Sequence, residues 1–169
     1  MNIMTIAAGG IGIVAIVAAG AMLLPRHVHV ERQAKFDGSV ENVIRLAASN
    51  EGYQRFNPYL SADPDLKITH FGPVSGKGSG FRFDGKDGTG SQTVAEVTDN
   101  RVRYNIDLGA MGKPVQTIMA KPFGNGVLVT WSMDADMGMN PVARIIGLFM
   151  DGMIGKNLEK GLSNLASAT

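Results

Sequence analysis

The sequence contains no cysteine. Disulfides, a thiolate nucleophile and cysteine-ligated metal sites are therefore excluded, and cysteine usage says nothing about the redox compartment. Charged residues make up only 18% of the chain, against about a quarter in an average soluble domain. The 16 basic and 15 acidic residues are interspersed, so we expect no basic face of the kind that binds nucleic acid.

Residues with catalytic or metal-binding chemistry are also few. Of the three histidines, His27 and His29 have strand spacing but no third ligand close in sequence, so we expect a solvated pair, not a metal site. His70 precedes a Gly-Pro turn and has no identifiable orienting carboxylate, which leaves no Ser/His/Asp set. The glycine-rich segment 71–80 lacks the spacing of a phosphate loop. We therefore assign no catalytic residue, and we expect no metal and no cofactor.

A long uncharged run opens the chain. Residues 3–24 carry no charge, and 22 helical residues at about 1.5 Å each would span roughly 33 Å, enough to cross a bilayer core. We therefore expect residues 1–25 to form a single-pass transmembrane anchor. A cleaved signal peptide is the alternative, because residues 19–21 resemble a cleavage site, although no basic residue precedes the run. Arg26 and Arg32 favour a cytoplasmic domain, but the side of the membrane stays open.

Residues 26–169 have the pattern of one α+β domain. Alternating apolar and polar residues predict a first strand over residues 27–36. The turns Asp99-Asn100 and Asn125-Gly126 join strand-like runs and therefore predict antiparallel hairpins. The further predicted strands cover residues 66–71, 78–84, 90–98, 101–108, 115–123 and 127–136.

Helical patterns flank these strands. Two short helices are predicted after the first strand, one after the N-cap Ser39 and one over residues 51–56. Asn140 and Pro141 open a long C-terminal helix. We expect that helix to bury one apolar stripe along its length, formed by Val142, Ile145, Ile146, Phe149, Met153, Leu158, Leu162 and Leu165. The predicted fold is a curved antiparallel sheet of six to seven strands wrapped around this helix.

Several segments resemble one superfamily. VTWSMDADMG (129–138) and GLFMDGMIGKNLEKGL (147–162) look like the last strand and closing helix of membrane-anchored, polyketide-cyclase-like members of the SRPBCC superfamily. FNPYLSADPD (56–65) and FGPVSGKGSGFRFDG (71–85) are similar to two earlier elements of the same members. The resemblance covers about residues 26–166. It implies the helix-grip fold, which START lipid-transfer domains share, but it does not imply one activity.

The resemblance also implies a cavity between the sheet and the closing helix. Gly147, Gly152 and Gly155 remove side chains from that helix, which fits either close approach of its backbone to the sheet or space for a ligand. We expect apolar residues of the strands and of the helix to line the cavity and bind the ligand. These residues are Phe81, Phe83, Tyr104, Ile106, Trp131, Met133, Phe149, Met150 and Met153.

The leading functional hypothesis is binding of a hydrophobic small molecule, a lipid or a polyketide-like compound, at a membrane. It requires an open interior. The first alternative is a cyclase or dehydratase, in which Tyr104 with Arg82 or Asp107 would transfer protons. The second is a protein-interaction or assembly domain, which predicts a filled cavity and an exposed apolar patch. The sequence predicts neither the ligand nor the oligomeric state.

Overall fold

The computed structural model describes residues 19–169, which form seven strands, five α-helices and one short 3-10 helix (Gly109–Met111). The strands are β1 (His27–Phe36), β2 (Lys67–Phe71), β3 (Gly80–Gly85), β4 (Gly88–Thr98), β5 (Arg101–Asp107), β6 (Val115–Phe123) and β7 (Gly126–Asp136). The helices are α1 (Val40–Ala47), α2 (Asn50–Gln54), α3 (Tyr59–Ala62), α4 (Pro141–Gly147) and α5 (Met150–Ala168).

All seven strands belong to one antiparallel sheet with the order β1-β7-β6-β5-β4-β3-β2. Strands β2 to β7 follow one another through direct connections, as the turn residues predicted. Strand β1 pairs with β7 at one edge, and helices α1, α2 and α3 carry the chain from there to β2 at the other edge. The predicted α+β fold, a curved antiparallel sheet packed against a long C-terminal helix, is confirmed.

Helix caps explain where the helices begin. The Ser39 hydroxyl accepts a hydrogen bond from the Asn42 backbone N–H at 3.2 Å, and Asn140 accepts from the first turn of α4, as predicted. A second serine, Ser49, caps α2 in the same way and starts that helix one residue before the predicted segment. Helix α3 was not predicted.

The C-terminal helical pattern is two helices instead of one. Helix α4 ends at Gly147 and α5 begins at Met150. Leu158, Leu162 and Leu165 of α5 are buried, but Val142, Ile146, Phe149 and Met153 are exposed. The prediction of one buried stripe along the whole length is therefore wrong for the first half. Periodicity shows that a helix has an apolar face, and it does not show that the sheet extends far enough to cover that face.

Two glycines let α5 lie close to the sheet. A Cβ at Gly155 would overlap the guanidinium of Arg32 on β1, and a Cβ at Gly161 would overlap the indole of Trp131 on β7. A Cβ at Gly152, in contrast, would meet nothing within 4 Å. The glycines of this helix were predicted to allow either close approach of its backbone to the sheet or space for a ligand. Gly155 supports close approach, because side-chain atoms of the sheet occupy the place of its missing Cβ.

The apolar run at the start of the chain falls largely outside this structure. Of the predicted anchor, residues 1–25, residues 1–18 lie outside the described residues. Within residues 19–169, no helix combines the length and the apolar character needed to cross a bilayer.

Candidate ligand-binding interior

Five aromatic side chains meet between the sheet and the helices. Strand alternation points Phe81, Tyr104 and Trp131 to the inner face, and α2 and the residues after it supply Tyr53 and Phe56. The Tyr53 ring is in contact with the other four, at centroid distances from 4.8 Å to Phe56 to 6.1 Å to Trp131. We call this group the aromatic cluster. It occupies the place where the sequence predicted a cavity.

Polar atoms within the aromatic cluster have partners. The Tyr104 hydroxyl donates to the backbone carbonyl of Ala47 at 2.7 Å, and the Trp131 indole N–H donates to the Gln116 side-chain oxygen at 3.1 Å. The Tyr53 hydroxyl lies within hydrogen-bonding reach of the Gln92 side chain. Burial raises the pKa of both Tyr53 and Tyr104 well above the usual value for a phenol, so both rings are neutral at physiological pH.

Little empty space is left beside these rings. The cavity next to Tyr53 has a volume of about 10 Å³, which accommodates about one water molecule. Its lining includes Ser49, Asn50, Ser79 and Gln92 as well as aromatic residues. The open interior that the sequence predicted is therefore not present in this conformation. The Tyr53 ring fills the centre from the side opposite the sheet. Its position was not predicted, because Tyr53 belongs to a five-residue helix, which is too short to show an apolar period in the sequence.

The nine residues predicted to bind the ligand fall into three groups. The first group is buried on the inner face of the sheet and comprises Phe81, Tyr104, Ile106, Trp131 and Met133. Phe83 and Met150 are partly buried and pack against the core. Phe149 and Met153 are 63% and 62% exposed, so they lie on the solvent-facing side of the helices and do not line the interior. Four further residues of this interior were not among the predicted site residues: Tyr53, Phe56, Gln92 and Gln116.

The residues considered for proton transfer are not brought together. Tyr104 faces the interior, whereas Arg82 and Asp107 occupy the opposite face of the sheet, where both register with Ser91. The Arg82 guanidinium lies over the Phe71 ring, and the Asp107 carboxylate pairs with Lys113 at 2.8 Å. These three residues therefore do not form one acid–base site.

The outer face of β2 to β5 carries a second, open depression of about 730 Å³. Its charged lining residues have both signs: Lys67 and Arg82 are basic, and Asp84 and Asp107 are acidic. The depression therefore shows no preference for a ligand of one charge, and no enclosure that would exclude water.

The histidines are surface residues. The His29 Nδ1 atom lies 2.7 Å from an Asp134 carboxylate oxygen, and this hydrogen bond raises the pKa of His29. Glu31 is a second, weaker acidic neighbour at 3.8 Å. Across residues 19–169, no three histidine or acidic side chains are grouped closely enough to hold a metal ion.

The sheet order, the closing helix and the apolar inner face together define an α+β helix-grip domain. A family profile described as polyketide cyclase / dehydrase and lipid transport matches residues 27–169. The chain therefore belongs to this family, which is part of the superfamily that its sequence resembles. Comparison with curated proteins finds no match.

Solved structures share the fold at low sequence identity. Truncated norcoclaurine synthase from Thalictrum flavum aligns with a TM-score of 0.66 at 10% identity, covering 83% of this chain and 91% of that one. A protein from Chromobacterium violaceum aligns at 0.60 and 14% identity, covering 83% and 96%. The di-domain ARO/CYC protein StfQ of the steffimycin biosynthetic pathway aligns at 0.60 and 12% identity. This alignment covers 83% of this chain but only 50% of StfQ. These likenesses concern the fold alone.

Proposed function

We propose that the domain binds a mostly apolar small molecule, a lipid or a polyketide-like compound, between the sheet and α5. The observation that carries this proposal is the pair of buried glutamines on the aromatic inner face. Gln92 on β4 and Gln116 on β6 are each only 4% exposed. A core without a ligand would not need amides at these positions, because apolar side chains of the same shape can replace a buried hydrogen-bonded pair at little or no cost in stability. Membership of a cyclase and lipid-transport family supports the same reading.

The two glutamines suit a ligand with one polar group. An amide carries two donors and an acceptor with two lone pairs. The indole N–H of Trp131 occupies one site on the Gln116 oxygen, and Gln92 faces the Tyr53 hydroxyl. A carbonyl or carboxylate oxygen of the ligand would accept a hydrogen bond from the amide NH2 group of Gln92 in place of the Tyr53 hydroxyl, while the apolar part of the ligand would replace the displaced Tyr53 ring.

Uptake requires the interior to open. Pockets for small molecules typically measure about 300 to 1,000 Å³, far more than the space beside Tyr53. Tyr53 is the ring to move, because α2 has only five residues. Its first residue, Asn50, is bonded to the β2–β3 connection through the Val74 carbonyl, so the displacement includes the breaking of this contact. Displacement of α2 from the sheet would vacate the centre and leave the hydrogen-bonded strands intact.

The proposal includes attachment to a membrane through the uncharged residues 3–24. The length and apolar character of this run support attachment. A membrane would also hold the domain where apolar ligands partition.

Fluorescence of Trp131 tests ligand binding directly, because Trp131 is the only tryptophan of the chain and belongs to the aromatic cluster. The full chain in detergent is titrated with a fluorescent fatty acid while Trp131 emission is followed. We expect saturable binding with a matching change in Trp131 emission. Gln92→Leu should weaken binding by up to about tenfold, the value of one hydrogen bond. Gln33 is exposed on β1, so Gln33→Leu is the matched control, and this variant should bind the fatty acid as the original chain does. A folded protein that shows no saturable binding would refute the proposal.

The filled interior favours a second candidate, a domain that acts on other proteins. In that case the aromatic cluster is only a core, and Trp131 emission stays unchanged in the titration above. Pull-down from solubilised membranes would then identify the partner. The enzymatic alternative is less well supported, because the aromatic cluster offers only neutral tyrosines for proton transfer.

A further inference from the structure

Exposed apolar side chains are concentrated in one region of the molecule. Within residues 19–169, eleven large hydrophobic residues are exposed, and seven of them are Leu23 or lie between residues 139 and 153. Val142 and Ile146 lie one turn apart on α4, and Phe149 and Met153 lie one turn apart at the start of α5, so each of the two helices presents an exposed apolar pair. We call these four, together with Met139 and Leu23, the α4–α5 surface. Such concentration is unusual for a surface in contact with water only.

The start of the described chain is fixed beside this surface. Arg144 of α4 is 7% exposed, and its guanidinium donates hydrogen bonds to the backbone carbonyls of Met22 and Leu24 and to that of Gly138. Arg26 makes two further bonds of 2.7 Å each to Asp136 at the end of β7. Residues 22–26 are thus held on the domain from two sides, and the uncharged run of the sequence joins the domain next to α4.

Charges near the α4–α5 surface are arranged in a way that suits lipid. The two acidic residues of α5, Asp151 in the first turn and Glu159 in the third, both pair with Arg32 of β1, at 2.9 and 2.7 Å, and so lie on the side of the helix that faces the sheet. Lys156, one turn beyond Met153, is exposed. A lysine at the border of an apolar face can place its ammonium at the level of lipid headgroups.

We propose that the α4–α5 surface lies against a lipid bilayer and inserts Phe149 and Met153 into its apolar boundary. This inference rests on the membrane attachment included in the proposed function, and it assigns a second contact with the same membrane. The α4–α5 surface is continuous with the uncharged run of residues 3–24, which reaches the domain at Leu23, a residue of this surface that is 89% exposed. A run that enters a bilayer brings this surface to the bilayer with it.

The absence of cysteine makes the experiment simple, since each variant carries one unique label site. The full chain is reconstituted in vesicles of phosphatidylcholine with one fifth phosphatidylglycerol, with a nitroxide at Phe149→Cys, Met153→Cys or Val142→Cys. Collisions with oxygen, which concentrates in the bilayer, are compared with collisions with a water-soluble nickel chelate. Phe123→Cys is the matched control, because Phe123 is 49% exposed at the opposite end of β6 and β7. Val14→Cys reports on the uncharged run independently.

We expect labels at 149 and 153 to collide with oxygen and to be protected from the nickel chelate by at least severalfold relative to 123. If the label at 14 is in lipid but those at 149 and 153 are in water, the second contact is refuted and the attachment stands. If the label at 14 is also in water, both the attachment and the contact are refuted. Protection of position 149 from both reagents would mean that protein covers the surface, either residues of the same chain or a second copy, and would overturn the assignment to lipid.

Discussion

Gly161 of α5 lies against the six-membered ring of the Trp131 indole, so that a Cβ at this position would overlap its atoms. Trp131 is 1% exposed and is held by its hydrogen bond to Gln116 and by contacts with Tyr53 and Phe56. The ring therefore has no free space into which it can move. Close packing of the helix on Trp131 therefore depends on the missing side chain of Gly161.

This relationship gives a matched pair of substitutions on one helix. Gly161→Ala should lower the free energy of unfolding by about 1–3 kcal/mol, because it overpacks the core. Gly152→Ala should raise it by about 0.5–1 kcal/mol, because its Cβ would meet nothing within 4 Å and alanine favours the helix. Chemical denaturation followed by circular dichroism measures both. Equal effects of the two substitutions would contradict the close contact.

Much of the fold was predictable because local rules determine it. Alternation in β5 and β7 placed Tyr104 and Trp131 on one face, and turn residues such as Asp99-Asn100 required antiparallel pairing. The β6–β7 turn lies at Gly124-Asn125, one residue before the predicted Asn125-Gly126, with Gly124 in the left-handed region. Asn140 and Pro141 marked the start of α4. Each of these signals lies within a few residues of the feature that it predicts.

The interior was not predictable, because it depends on contacts between distant segments. Nothing near Tyr53 in the sequence shows that its ring will touch Phe81, Tyr104 and Trp131 from a separate layer. The same limit applies to Phe149, whose place in an apolar period was clear but whose exposure depends on how far the sheet reaches. The buried pairing of Gln116 with Trp131 joins side chains 15 residues apart across two strands.

The Tyr104 hydroxyl has a structural role that substitution can isolate. Tyr104→Phe leaves the Ala47 carbonyl in a buried place without its side-chain donor. We expect a loss of about 1–3 kcal/mol in the free energy of unfolding, with little change in the fold. Thermal and urea denaturation measure this loss. A variant as stable as the original chain would show that the hydrogen bond contributes little.

The same substitution separates binding from catalysis. If the domain only binds its ligand, Tyr104→Phe should change fatty-acid affinity little. If the cyclase alternative is correct, the variant should take up substrate and fail to turn it over.

His29 should titrate above the ordinary pKa of 6.5, chiefly because of its hydrogen bond to Asp134. Asp134→Asn should therefore lower the pKa of His29 markedly, and Glu31→Gln should lower it less, because Glu31 is the weaker neighbour. Because the folded-state pKa is raised, the stabilisation is complete below pH 6.5 and is lost as pH rises through the folded-state value. NMR titration of the imidazole protons measures the pKa. Equal effects of the two substitutions would refute the assignment to Asp134.

Arg144 should control how firmly residues 22–26 are held on the domain. Its guanidinium binds the carbonyls of Met22, Leu24 and Gly138, so Arg144→Ala removes three charge-assisted hydrogen bonds at one position. We expect trypsin to cleave after Arg26 at least severalfold faster in this variant, because the segment must leave the domain surface to fit a protease.

Arg45→Ala is the matched control, since Arg45 is exposed on α1 and its side-chain partner on that helix is Asn42. The rate is read from intact-mass spectra of the full chain in detergent. Cleavage at the same rate in both variants would mean that the Arg26–Asp136 pair alone holds the segment, and the anchoring role of Arg144 would be wrong.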